Sequence, residues 1–168
     1  MKNSGIYAAK RPYPSLFSVT RDPSLARLIV PARANELNSI SDYIYEAIIF
    51  ENVYPWLATI FEGIANTEMR HFKMLSELTL KLGGNPAVDC RIQNIPTDIS
   101  ENTNSMAPRA AKRFLTRASE EEKNAAAEYK RLASSCKDKS ASALLLRIAE
   151  DEELHARLLD GANQRITV

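Results

Sequence analysis

The sequence predicts an all-α protein, an antiparallel four-helix bundle, and three observations carry that expectation. Only five of the 168 residues are glycine, and Ala, Leu, Glu, Lys and Arg recur in runs, a composition that favours helix. Four long segments repeat apolar residues at three- and four-residue spacing. These segments form two pairs, and one long irregular stretch separates the pairs.

The elements can be read in chain order. Residues 1–21 carry Pro12 and Pro14 and read as an extended N-terminal arm, leaving 22–168 for the bundle. Asp22-Pro23 is a helix start, with Asp as N-cap and Pro at the first helical position. Pro31 removes a donor and crowds the preceding turn. The sequence therefore predicts a short helix before it and a long one after it, to about Glu51. Asn52 to Pro55 is a tight connection, and a second long helix runs to Leu82, where Gly83-Gly84 and then Pro86 stop it. From 85 to 108 the chain loses its period and fills with turn formers, as a long crossover would. A third helix is expected from about Arg109 to Ser135, a break at Lys137-Asp138-Lys139, and a fourth helix to about Gly161.

The bulk properties exclude several classes. The length suits one domain with a sizeable core. With 45% apolar and 26% charged residues, the profile is that of a soluble globular protein. A net charge of +1 gives no global attraction to nucleic acid. The first twenty residues hold no apolar stretch of signal-peptide length, and no window resembles a membrane span. Cys90 and Cys136 are isolated, with no C-x-x-C, so they build neither a zinc knuckle nor a rubredoxin-type iron site. A reduced, cytoplasmic compartment is the expectation.

The second and fourth helices repeat one phrase. Ile64-Ala65-Asn66-Thr67-Glu68-Met69-Arg70-His71 and Ile148-Ala149-Glu150-Asp151-Glu152-Glu153-Leu154-His155 are both I-A-x-x-E-x-x-H, and they contain both histidines of the chain. A Glu and a His three apart share a helical face and can reach one ion. Taken singly, such a pair is more often a surface hydrogen bond. The first and third helices repeat too: Glu36 precedes Tyr43 by seven residues and Glu122 precedes Tyr129 by seven. Glu36 stands 32 residues before Glu68, and Glu122 stands 30 before Glu152. Each half of the chain thus offers a lone Glu followed by an E-x-x-H.

Helical phase places these acids on apolar faces. Glu36 runs with Ile40, Tyr43, Ile44 and Ala47; Glu68 with Phe61, Ile64, Phe72 and Leu75; Glu122 with Leu115, Ala118, Ala126 and Tyr129; Glu152 with Leu144, Leu145, Ile148 and Leu159. Glu46, Glu121, Glu150 and Glu153 fall off those stripes. Four carboxylates in a bundle core suffer desolvation and mutual repulsion unless cations neutralise them. Two divalent ions supply four positive charges. The mixed carboxylate and imidazole set suits iron or manganese, and also zinc, but not calcium. Tyr43 and Tyr129 are either packed with satisfied hydroxyls or redox participants. Asp151 is either an exposed acid or an acceptor that orients a histidine ring. Thr67 holds the matching place in the other half and is a weaker acceptor, so the two metal positions can differ.

Lone Glu, E-x-x-H, lone Glu, D-E-x-x-H at these spacings resembles the rubrerythrin and manganese-catalase branch of the ferritin-like superfamily. The stretch EMRHFKMLSELTLKLGG is similar to the manganese-catalase type, and EEEKNAAAEYKRLASSC with IAEDEELHARLL to rubrerythrin-like domains. The resemblance spans roughly Asp22 to Gly161. It implies a ferritin-like bundle with a long crossover between helices 2 and 3, and a pair of iron or manganese ions. Glu36 and His71 would serve one ion, Glu122 and His155 the other, and Glu68 and Glu152 would bridge both. It further implies an oxidoreductase acting on hydrogen peroxide or dioxygen, with Glu68, Glu152, Tyr43 and Tyr129 at the reaction centre. An external electron donor is implied by the missing rubredoxin-like domain, and a homodimer by the habit of such bundles. Ferroxidase or iron-binding activity, and a structural metal in a non-catalytic partner-binding protein, are the alternatives.

Overall fold

The computed structural model describes residues 7–88 and 108–167. Four helices make up its regular structure, α1 (Pro23–Phe50), α2 (Pro55–Lys81), α3 (Pro108–Ser135) and α4 (Lys139–Arg165), with no strand among the described residues. The predicted all-α class and four-helix bundle are what is found. α1 packs along α2 and α3 along α4, and the two hairpins meet where α1 faces α3 and α2 faces α4. The crossover expected over 85–108 falls for the most part, from 89 to 107 and including Cys90, outside the described residues. No described helix is long and apolar enough to cross a membrane.

The ends of the helices follow from local chemistry. The Asp22 carboxylate accepts from the amides of Ser24 and Leu25 at 3.1 Å each, satisfying donors that the first turn leaves free. Asp138 does the same for α4, accepting from Ser140 and Ala141 at 2.9 Å. α2 ends where Gly83 takes φ +89°, a left-handed conformation that a side chain disfavours, and the Gly84 amide folds back to the Thr79 carbonyl at 2.9 Å. The Asp22 amide bonds the Leu82 carbonyl at 3.0 Å, tying the start of α1 to the end of α2.

Two sequence expectations are corrected. Pro31 does not split the first helix, which runs unbroken through it. Pro31 and Arg27 are both exposed, so the carbonyl that loses its partner is on the water side of the helix. Leu25, Ala26 and Ile29 before the proline, and Ala32 after it, are buried in one apolar cluster with α2 and α4, which favours one continuous helix through Pro31. Ile44 is 43% exposed rather than inward. At about 100° per residue, eight steps from Glu36 carry it roughly 80° off the line, whereas Tyr43 and Ala47 stay within about 20° and are buried.

The core divides into two apolar clusters. One gathers Phe50, Leu57, Phe61, Phe114, Leu115 and Leu159 towards one end of the bundle, and the other gathers Ile29, Leu75, Leu78, Leu132, Leu144 and Ile148 towards the opposite end. Between them lies a polar layer.

Candidate metal centre

The polar layer contains Glu36, Glu68, Glu122, Glu152, His71 and His155, each 5% exposed or less. All six predicted ligands therefore meet in the interior. They form two groups that share two members: Glu36, Glu68, His71 and Glu152 in one, and Glu68, Glu122, Glu152 and His155 in the other. Within each group the candidate donor atoms lie within 4.8 Å of one another. The shared pair is the pair expected to bridge.

Both imidazoles turn Nδ1 inward. His71 Nδ1 is 2.8 Å from Glu68 Oε2, 3.1 Å from Glu152 Oε1 and 3.5 Å from Glu36 Oε2. His155 Nδ1 is 2.8 Å from Glu68 Oε1, 3.2 Å from Glu152 Oε2 and 3.6 Å from Glu122 Oε2. The Nε2 atoms point away, to Asp151 Oδ2 at 3.0 Å for His71 and to the Tyr7 carbonyl at 2.8 Å for His155. A carbonyl oxygen only accepts, so His155 Nε2 carries a proton and its Nδ1 lone pair is free for a cation. Asp151 acts on His71 in the same sense.

Protons and metal ions are alternative ways of balancing this charge. In the metal-free protein, burial is the largest influence on Glu36 and drives its carboxyl well above the usual range, with Glu68 and Glu152 adding repulsion. Burial likewise pushes Glu122 up to about 8. Glu68 is held well below the ordinary value; burial opposes this, and the charges of His155 and His71 overcome it. Both histidines are raised well above their ordinary value, burial opposing and the surrounding carboxylates prevailing. The metal-free site thus holds up to four protons, one on each lone Glu and an extra one on each imidazole. Two divalent ions are their charge equivalent.

The donor chemistry fits such ions. Among the described residues Glu68 Oε1 and Glu152 Oε1 accept no aligned hydrogen bond, their nearest cationic neighbours being His155 Nδ1 at 2.8 Å and His71 Nδ1 at 3.1 Å. Oxygens in that state are costly unless something positive coordinates them. Tyr43 on α1 donates to Glu122 on α3, and Tyr129 on α3 donates to Glu36 on α1, so each lone Glu is fixed by the tyrosine of the opposite half.

The α1–α3 side of the layer opens into a cavity of about 530 Å³. Glu36, Tyr43, Glu68, Glu122, Tyr129 and Glu152 line its depth, and exposed Asn35, Asp42, Glu121 and Asn124 its mouth. The off-stripe acids face outward: Glu121 lies near Arg117, Glu150 pairs with Arg11 and Glu153 with Lys130. Glu46 is half-buried, and burial raises it to about 7.

Asp151, one of two readings in the sequence, is fully buried and orients a histidine, that of α2 rather than its own helix. Burial opposes its ionisation, but hydrogen bonds from His71 and Tyr13 hold it at about 2. Thr67 does not reach a histidine; its hydroxyl lies near the Tyr7 and Gly63 carbonyls. Sequence reasoning missed Tyr7, Tyr13 and Arg147. The arginine had a signal: it precedes Asp151 by four on the apolar face of α4, where only a paired cation is stable.

No curated protein and no solved structure matches the chain. The family model described as Rubrerythrin matches residues 28–163, which include all four helices' contributions to the polar layer. The lone glutamates, the paired E-x-x-H phrases and this match agree, and the chain belongs to the rubrerythrin family, with its ferritin-like fold and a carboxylate and histidine cluster suited to two metal ions.

Proposed function

We propose that this protein is a di-metal oxidoreductase acting on hydrogen peroxide or dioxygen, with two iron or two manganese ions. The observation that carries the reading is the convergence of four carboxylates and two inward Nδ1 atoms on one buried layer, with both Nδ1 atoms within 3.6 Å of three carboxylate oxygens each. Glu36 and His71 would hold one ion, Glu122 and His155 the other, with Glu68 and Glu152 across both. When bound, such a pair supplies the two electrons that cleave an oxygen–oxygen bond.

The chain's own residues do the rest. The cavity between α1 and α3 admits a molecule as small as peroxide to the carboxylate layer and confines it there. Reduction of peroxide to two waters takes up two electrons and two protons. Tyr43 and Tyr129 line the cavity with their hydroxyls on Glu122 and Glu36, and burial raises both phenols far above their ordinary value, so they stay protonated. They position the lone glutamates and place transferable protons beside the reacting oxygens. The electrons come from an external one-electron donor, or from a second peroxide if the reaction is a disproportionation. We place the protein in the reduced cytosol, as a homodimer.

The test is peroxide consumption by protein reconstituted with iron or manganese. Activity is expected, and Glu68→Ala or His155→Ala should abolish it; unchanged turnover in either variant sinks the proposal. A second reading, oxidation of ferrous ions as substrate, is favoured by the acids at the cavity mouth, Asp42, Glu121 and Glu128. It predicts dioxygen-dependent ferrous oxidation without peroxide turnover.

A further inference from the structure

The α2–α4 side of the layer, opposite the cavity, is closed by an irregular segment. Tyr7 to Tyr13 belongs to no helix, yet it is anchored to α2 and α4 more densely than its composition requires. The Tyr7 carbonyl receives His155 Nε2 at 2.8 Å. The Ala9 amide donates to Asp151 Oδ1 at 2.6 Å, and the Tyr13 hydroxyl donates at 2.5 Å to Asp151 Oδ2, the oxygen that also receives His71 Nε2. Arg147, 1% exposed, lies 2.5 Å from Asp151 Oδ1 and donates to the carbonyls of Ala9 and Arg11, while its guanidinium covers the Tyr13 ring at 4.2 Å. On α2, Gly63 leaves room for the Tyr7 ring: a Cβ there would lie 2.3 Å from it.

We infer that the segment Tyr7–Tyr13 is part of the metal centre: it positions both histidines from behind, and its docking is coupled to occupancy of the two metal positions. The inference rests on the di-metal reading above. A divalent ion holds Nδ1 at one fixed place, which a proton does not, so it keeps each ring oriented with Nε2 on the Tyr7 carbonyl or on Asp151. Coupling of binding free energies is reciprocal, so the docked segment must in turn tighten the ions. The two positions are also inequivalent. His71 is backed by a carboxylate that the segment itself braces, whereas His155 is backed by a neutral main-chain carbonyl. Loss of such an outer partner typically lowers metal affinity about 10–100-fold, and here the loss should fall on one ion of the pair.

The test uses the full chain, freed of metal by chelation and titrated with Co²⁺, an ion suited to this ligand set. Visible absorption and elemental analysis give affinity and stoichiometry. Hydrogen exchange of the Ala9 amide reports docking, referenced to Leu145 in the core to remove global opening. Two cobalt ions are expected to bind and to slow Ala9 exchange relative to Leu145 by about 10-fold or more. Tyr13→Phe and Asp151→Asn should each weaken one cobalt equivalent by about 10–100-fold, leave the other, and speed Ala9 exchange. Tyr13→Phe removes one hydroxyl and keeps the ring, so it separates positioning from a failure to fold. If two ions bind but Ala9 exchange is unmoved, or both variants bind as the parent does, the coupling is refuted and the di-metal reading stands. Failure of the parent to bind cobalt overturns both.

Discussion

Replacing Glu122 by Gln should reverse the sign of its effect between the metal-free and metal-loaded protein. In the metal-free chain Glu122 is fully buried and titrates at about 8 against an ordinary 4.5. Its folded value lies above its unfolded one, so between those values the unfolded chain has lost the proton and the folded chain keeps it. Folding stability therefore falls as pH rises from about 4.5 and levels off above about 8. The interval is 8 minus 4.5, or 3.5 pH units, and at about 1.4 kcal/mol per unit the loss is up to about 5 kcal/mol. Gln cannot ionise, and its amide oxygen can still accept from Tyr43. Urea unfolding of chelated protein, followed by helical circular dichroism, should show parent and Glu122→Gln nearly equal at pH 4.5. The variant should be the more stable by a margin that grows to a few kcal/mol at pH 9. Adding a divalent ion should then stabilise the parent more than the variant, because Gln offers no charge to the cation. A stability difference that does not change with pH, or equal stabilisation of both proteins by metal, would refute the charge argument.

Other expectations follow from the same geometry. Loading two divalent ions at pH 7 should displace up to four protons, those on Glu36, Glu122 and the two imidazoles, so affinity rises with pH; calorimetry in buffers of different ionisation enthalpy counts them. Glu46, outside the cluster, titrates at about 7 through burial, with Arg117 opposing and Asp42 adding to the rise. Glu46→Gln should therefore match the parent near pH 4.5 and gain on it up to about pH 7, read from unfolding midpoints. Leu115→Ala, at a fully buried site, should cost about 2–5 kcal/mol with an unchanged denaturant slope. Gly63→Ala should add about 1 kcal/mol of helix propensity while expelling the Tyr7 ring, so trypsin should cut after the exposed Lys10 faster although the bundle does not unfold more easily. An unaltered cutting rate would contradict the seating of Tyr7 on Gly63.

What the sequence disclosed of this fold was what is written in helical period. Glu36, Glu68, Glu122 and Glu152 were readable because each interrupts an apolar stripe, and a stripe has one direction in space once the helix exists. The duplication supplied the pairing of each lone Glu with a tyrosine seven residues on, although not that each tyrosine would cross to the other half's glutamate. Pro31 misled because its usual cost assumes that the orphaned carbonyl has no water, and here it faces solvent. The Tyr7 carbonyl could not have been found: every residue has that atom, and only the path of an irregular segment brings it to His155. Asp151 was seen as a candidate but its target was not, since the helix pairing that sends it to His71 is a tertiary fact.

The division of the cluster among the helices also orders its assembly. Glu36, Glu68 and His71 belong to the first hairpin, which can close while later residues are still being added to the growing chain. That intermediate presents three donors to whatever ion is present, and half a charge balance. Glu122 and Glu152 complete the layer only when the second hairpin packs on, and His155 meets Tyr7 across 148 residues of chain. Capture of a full pair of ions would therefore be a late event in the life of each molecule, and a chain stalled before α4 would offer an open, incomplete set of donors in place of a closed one.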